Sequence, residues 1–126
     1  MGNQSTITSL TNSATGTIMG GTAAGLQNDT SMGTVTNAGL ISSGSAGFAN
    51  YGTLGLLSNS GSINGGPQGI YNSGSITSIT NSGRLTAPQS AIGLSGSVGS
   101  LTNSGFIGGG SNGINLEGSL GTLVNE

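Results

Sequence analysis

The sequence predicts an all-β fold: a three-sided parallel β-helix, or β-solenoid, of about five coils of 22 residues. Two observations carry that expectation. The stretch Ser75–Gly96, SITSITNSGRLTAPQSAIGLSG, overlays the 22 residues before it (Thr53–Gly74) and after it (Ser97–Gly118) almost position by position. Tandem repeats of this length mark solenoids, propellers or arrays. Aliphatic residues also return at fixed places in every copy, a regularity that a flexible Gly/Ser linker has no reason to keep. A helical reading fails on glycine density, since each helical Gly costs about 1 kcal/mol. A propeller blade needs about 40–45 residues.

Residues 1–126 read as one repeat domain. The first coil covers about residues 6–30 and is three residues longer than the rest, with its extra residues around Ala14–Thr15 and within Met19–Ala24. Strict copies follow at 31–52, 53–74, 75–96 and 97–118, and a partial copy at 119–126. A break in mid-coil reads as a fragment of a longer repeat region, because solenoids otherwise carry caps.

Each strict copy can be numbered from one to twenty-two. Position two holds Met32, Leu54, Ile76, Val98 and Leu120, and position five holds Val35, Leu57, Ile79, Leu101 and Leu123. These define an inward-facing first side over positions one to six. Position seven is Asn37, Asn59, Asn81, Asn103 and Asn125, a column expected to form a side-chain amide ladder. The Asn-Ser-Gly phrase at seven to nine predicts a turn, on the ground that Asn and Gly tolerate left-handed backbone angles. The second side is short, positions ten to twelve around Ile41, Ile63, Leu85 and Ile107. The next turn takes both prolines, Pro67 and Pro88, where no ladder donor is required. The third side, positions seventeen to nineteen, centres on Phe48, Ile70, Ile92 and Ile114. Position twenty changes from Asn28, Asn50 and Asn72 to Leu94 and Leu116, an exchange that fits an inward site where an amide is satisfied only by its neighbours.

Composition excludes several function classes. Only Asp29, Arg84, Glu117 and Glu126 are charged, so there is no basic footprint for nucleic acid or for an anionic membrane surface. No apolar run approaches a membrane span, and MGNQSTIT lacks the basic and apolar regions of a signal peptide. There is no Cys or His.

The phrases SLTNSG, GIYNSGSITSITNSG and GGSNGIN resemble the repeats of bacterial autotransporter (type V secretion) passenger domains, over essentially the whole chain. Those passengers are typically right-handed parallel β-helices, so the resemblance implies that hand. It also implies a surface stalk or adhesin, extracellular or on the bacterial outer membrane. It supplies no site residues, since passengers carry function in insertions and this chain has almost none.

The sequence offers no catalytic, cofactor-binding or metal-ligating residues. Catalysis needs groups that titrate or coordinate. No base is present to activate a Ser or Thr, and Asp29 and Glu117 stand about four coils apart, too far for a glycosidase pair. Gly65-Gly66 and Gly108–Gly110 lack the Asp of calcium-binding β-roll units. Asn3-Gln4-Ser5 and Asn28-Asp29-Thr30 match the glycosylation pattern by chance in a bacterial-looking chain. The candidate surface contacts are Tyr51, Tyr71 and Phe106, with rings expected outward, and Arg84, the single cation. Hydroxyl pairs at positions four and six (Thr34/Thr36, Ser78/Thr80, Ser100/Thr102) raise ice binding, which Leu56/Ser58 interrupts.

The expectation is therefore a non-catalytic structural or adhesive module forming a stiff stalk, associating end to end through open coils. The alternative is a solenoid face that binds a glycan or ice. Host or bacterial surface glycans are the candidate partners.

Overall fold

The computed structural model describes all residues from Met1 to Glu126 and contains no helix. Seventeen strands form three parallel sheets, and the chain visits the sheets in rotation. The first sheet stacks the long strands β2 (Thr6–Asn12), β5 (Ser31–Asn37), β8 (Thr53–Asn59), β11 (Ser75–Asn81), β14 (Ser97–Asn103) and β17 (Ser119–Asn125). The second stacks β3 (Thr17–Gly20), β6 (Leu40–Ser43), β9 (Ser62–Asn64), β12 (Arg84–Ala87) and β15 (Phe106–Gly109). The third stacks β1 (Gly2–Asn3), β4 (Leu26–Asn28), β7 (Ala46–Asn50), β10 (Gln68–Asn72), β13 (Ser90–Leu94) and β16 (Asn112–Leu116). The fold is thus the predicted β-solenoid. It has about six turns rather than five, because Gly2–Asn3 already pair with Gln27–Asn28 and begin a rung before the first recognisable repeat.

Register follows the 22-residue period without a slip. Ile79 pairs with Leu57 and Leu101, Leu85 with Ile63 and Ile107, and Ile70 with Phe48 and Ile92. The first coil fits by widening its turns. Four residues separate Asn12 from Thr17, against two between their partners Asn37 and Leu40. Five separate Gly20 from Leu26, against four between Ser43 and Phe48.

The inward columns fuse into one core of seventeen buried residues, including Val35, Ile41, Phe48, Leu57, Ile63, Ile70, Ile79, Leu85 and Ile92 at zero exposure. Each such side chain contributes about 1.5–3 kcal/mol on burial. The core is a column along the axis, so every coil shares it with the coils on either side. Pro67 and Pro88 lie between strands, as the sequence predicts.

The strands run longer than the sequence reading drew them. The first side includes position seven, the second reaches position thirteen in β6 and β12, and the third spans sixteen to twenty. The turn argument also requires correction. No residue in the chain, glycine included, has a positive φ. The Asn-Ser-Gly turns therefore do not use left-handed angles, and their glycines answer a different constraint. The carbonyl of each position-nine glycine accepts from the N–H of position ten in the next coil: Gly39 from Ser62, Gly61 from Arg84 and Gly83 from Phe106, all at 2.8 Å. The next glycine sits directly over that carbonyl. A Cβ on Gly61 would fall on Gly39 O and the Ala38 backbone, and one on Gly83 would fall on Gly61 O.

At position seventeen Gly25, Gly47 and Gly69 are also closely packed, while Ala91 carries a buried Cβ there and Gly113 has room for one. A Cβ on Gly47 would lie 2.8 Å from both Asn64 O and Gly69 O and 2.9 Å from Ile63 Cγ2.

These contacts predict the cost of adding one methyl group. Gly61→Ala should lower stability by about 1–3 kcal/mol, as overpacking does, despite its ordinary φ. Gly2→Ala, with nothing within 4 Å of the added carbon, should stay within about 0.5 kcal/mol. Urea midpoints of the two variants against the parent measure the difference, and equal midpoints would refute the close-approach account.

Candidate functional site

The most regular polar construction lies inside the solenoid. In the position-seven column the side-chain amide of each coil donates to the next: Asn12 Nδ2 to Asn37 Oδ1, Asn37 to Asn59 and Asn59 to Asn81, each at 2.7 Å. The series continues from Asn81 to Asn103 at 2.8 Å and from Asn103 to Asn125 at 2.7 Å. The second amide proton is not wasted, since Asn37 Nδ2 also reaches Gly39 O at 3.2 Å and Ser62 O at 3.1 Å. Amide ladders of this kind stabilise stacked strands. No buried side-chain nitrogen or oxygen lacks a partner.

Position twenty forms a second ladder. Asn3 Nδ2 donates to Asn28 Oδ1 at 2.9 Å, Asn28 to Asn50 at 2.7 Å and Asn50 to Asn72 at 2.7 Å. Asn28, Asn50 and Asn72 have zero exposure, and the ladder stops where Leu94, 1% exposed, joins the apolar core. Asn72 Nδ2 then ends on the Gly74 and Ser97 carbonyls. The inward reading of this column is correct. Asn3 and Asn28, both within glycosylation patterns, are buried ladder members with their amides engaged.

The outer surface divides into three faces. On the first sheet the hydroxyl columns are in register, but Leu56 pairs between Thr34 and Ser78 and breaks one of them. Within that column Ser100 Oγ donates to Ser78 Oγ at 3.1 Å. On the second sheet Arg84 and Phe106 pair in register, and the guanidinium lies 4.3 Å from the ring centroid. The only cationic side chain thus makes a cation–π contact. At the edge of the third sheet Tyr51, in the turn after β7, meets Tyr71 of β10 edge to face, with centroids 5.8 Å apart and planes at 63°. Tyr71 packs against a small buried cluster of Ala24, Ala46 and Ala49. Beside it Gln27 Nε2 donates to both oxygens of Asp29, at 2.8 and 3.0 Å.

The four surface residues expected from sequence therefore resolve into two pairs on different sheets, not one site. The sequence reading named neither Gln27 nor Asp29 as a surface contact. Their signal was available in the columns, since Gln27 aligns with Ala49 and Tyr71, and Asp29 with Tyr51.

The acids do not converge. Asp29 and Glu117 occupy the same position of coils four rungs apart, about 19 Å along the axis. Glu117 instead contacts Asn115 at 3.1 Å and Ser95 at 3.4 Å. No three His, Cys, Asp or Glu side chains group in a way that could hold a metal ion. No helix is long and apolar enough to cross a membrane.

A cavity of about 530 Å³ opens at the last coil between Phe106, Ile107, Ile114, Leu123 and Asn125. It is the inner core seen from its end. Every position-seven ladder bond runs from an amide nitrogen to an oxygen in the next coil, so Asn125 Nδ2 and Asn12 Oδ1 are its unpaired donor and acceptor. None of the known protein families matches the chain, nor does any curated protein or solved structure.

The ladder predicts an uneven response to the same truncation. Asn59→Ala removes a link in mid-stack and leaves the Asn37 amide and the Asn81 carbonyl oxygen short of a partner, so it should cost about 2 kcal/mol. Asn125→Ala at the open end should cost less than about 0.5 kcal/mol. Denaturant midpoints decide, and a mid-stack variant as stable as the end variant would show that the ladder contributes nothing.

Proposed function

We propose that the chain is a non-catalytic structural module, a stiff β-solenoid stalk segment of a bacterial surface or secreted protein. The observation that carries this reading is the unbroken axial ladder of position seven, which couples every coil to the next along one line. Stiffness along that line follows, because bending opens short amide bonds and the shared core together. The mixed outer faces support a stalk over a catalyst, as no face gathers titratable groups. The resemblance of the Asn-Ser-Gly repeats to autotransporter passengers supports surface display.

The stalk reading includes growth along the axis. The open last coil offers an amide donor, unpaired strand edges and the aliphatics Ile107, Ile114 and Leu123. The first coil offers the matching acceptor on Asn12, at the end of a seven-residue strand like that of the last coil. A further coil in the same register extends the ladder, and a second copy of the chain can supply it head to tail. Such a heterologous contact does not close, so it builds filaments.

Small-angle scattering and sedimentation at rising protein concentration test this. The expected result is particles that lengthen at constant cross-section, with Leu123→Asp held monomeric. A clean monomer at millimolar concentration, or growth in cross-section, would overturn it. Surface display is tested separately by the coding sequence on either side. A signal peptide upstream and an amphipathic β-barrel downstream are expected, and the lack of both would refute the assignment.

A further inference from the structure

We infer that the Tyr51–Tyr71 patch of the third sheet is a carbohydrate-binding subsite for a neutral saccharide. The inference does not depend on the stalk reading, because it rests on side chains of one face only.

The ring pair is immobilised. Tyr71 lies on the alanine cluster of Ala24, Ala46 and Ala49, where the last is 1% exposed although its column faces outward. Tyr51 packs edge to face against Tyr71 while remaining 50% exposed. Two aromatic side chains held this way offer apolar area without losing much rotamer freedom on binding. Saccharides present patches of C–H groups that suit such rings.

Polar groups are fixed next to the rings. The Gln27 amide holds both oxygens of Asp29, so the carboxylate is oriented before any ligand arrives. That arrangement leaves Gln27 Oε1 and the free lone pairs of Asp29 as acceptors for hydroxyl donors. Gln27 pairs with Ala49 and Ala49 with Tyr71, so the amide and the ring stand two rungs apart, about 10 Å. Asp29 and Tyr51 occupy the same position of successive coils, about 5 Å apart along the axis. On the other side of Tyr71, the Gln68 side chain lies across Gly93.

Charge selects the ligand class. The patch carries one charged side chain, the Asp29 carboxylate; the only cationic side chain is on another sheet over Phe106, and the amino-terminal ammonium is engaged by the Gly25 carbonyl at 2.8 Å. An acidic saccharide would meet the Asp29 carboxylate here with no basic side chain beside it. A quaternary ammonium ion needs rings that surround it, and an edge-to-face pair on a flat sheet does not. A neutral ligand with hydroxyls and an apolar face fits all three features.

The test is titration of the whole chain with cellobiose, chitotriose and lactose, followed by carbon–proton correlation NMR, with heparin and choline as controls. At least one neutral sugar should shift the Ala46 and Ala49 methyl and the Tyr51 and Tyr71 ring signals, with millimolar affinity. Tyr51→Ala and Asp29→Ala should each weaken binding at least about fivefold, the effect of losing about 1 kcal/mol at a contact. Arg84→Gln should leave it unchanged. Both altered residues lie in turns outside the core, and the side-chain amide signals of Asn28, Asn50 and Asn72 report whether the coil is intact. No shift at tens of millimolar sugar, binding retained in the Tyr51→Ala/Asp29→Ala double variant, or preference for heparin or choline would each overturn the proposal.

Discussion

Everything in this molecule depends on placing each residue over its equivalent one coil below. The amide ladder makes that requirement directional. A side-chain amide has a donor end and an acceptor end, so a column of asparagines bonds only when each faces the next in the same sense. A slip of one residue along a strand would replace every Asn–Asn pair of the position-seven column and turn the inner aliphatics outward. The aliphatic core tolerates exchange of Ile, Leu and Val within a column, so it specifies the face but not the individual partner. The buried asparagines tolerate no such exchange of partner, since an amide without a partner in the interior costs about 1–3 kcal/mol.

The same stacking explains the glycines. Coils about 4.8 Å apart leave no space for a Cβ where a turn carbonyl points along the axis to meet the next N–H. Position nine meets this limit at every coil. Glycine here is a matter of volume, and the absence of any positive φ rules out the conformational explanation. Turns that repeat over one another in this way keep the three sheets in phase, which in turn keeps the ladders aligned.

The fold was legible because a solenoid writes its contacts as columns in the sequence. Val35, Leu57, Ile79 and Leu101 share a column and share a stack, so a local period reports a long-range contact. The reading failed where the cause lies between columns or outside the period. Asn3 belongs to the position-twenty ladder, yet it precedes the first recognisable copy and has only Asn28 to reveal it. The glycines of position seventeen carry no signal of their own in the period, because part of their constraint comes from another sheet, Ser42 for Gly25, Ile63 and Asn64 for Gly47 and Thr86 for Gly69. Outward direction was legible for Tyr51, Arg84 and Phe106. The pairing of Tyr51 with Tyr71 was not, since it joins different positions of adjacent coils.

That last failure bears on how such a chain acquires function. Inner columns repeat because each coil must satisfy its neighbours, so they carry little that distinguishes one coil from another. Outer columns escape that requirement, and Gln27, Ala49, Tyr71, Gly93 and Asn115 share one without sharing chemistry. A recognition patch on a solenoid is therefore a local departure from the period, in which neighbouring coils supply unlike side chains to one place. The alanine floor, the tyrosine pair and the Gln27–Asp29 couple form such a departure on the third sheet. The Arg84–Phe106 contact is another, in which the single cationic side chain lies over the ring of the next coil. Irregularity alone thus does not make a site. What separates the two patches is the buried alanine floor under Tyr71 and the Gln27-oriented carboxylate in the same column as Tyr51.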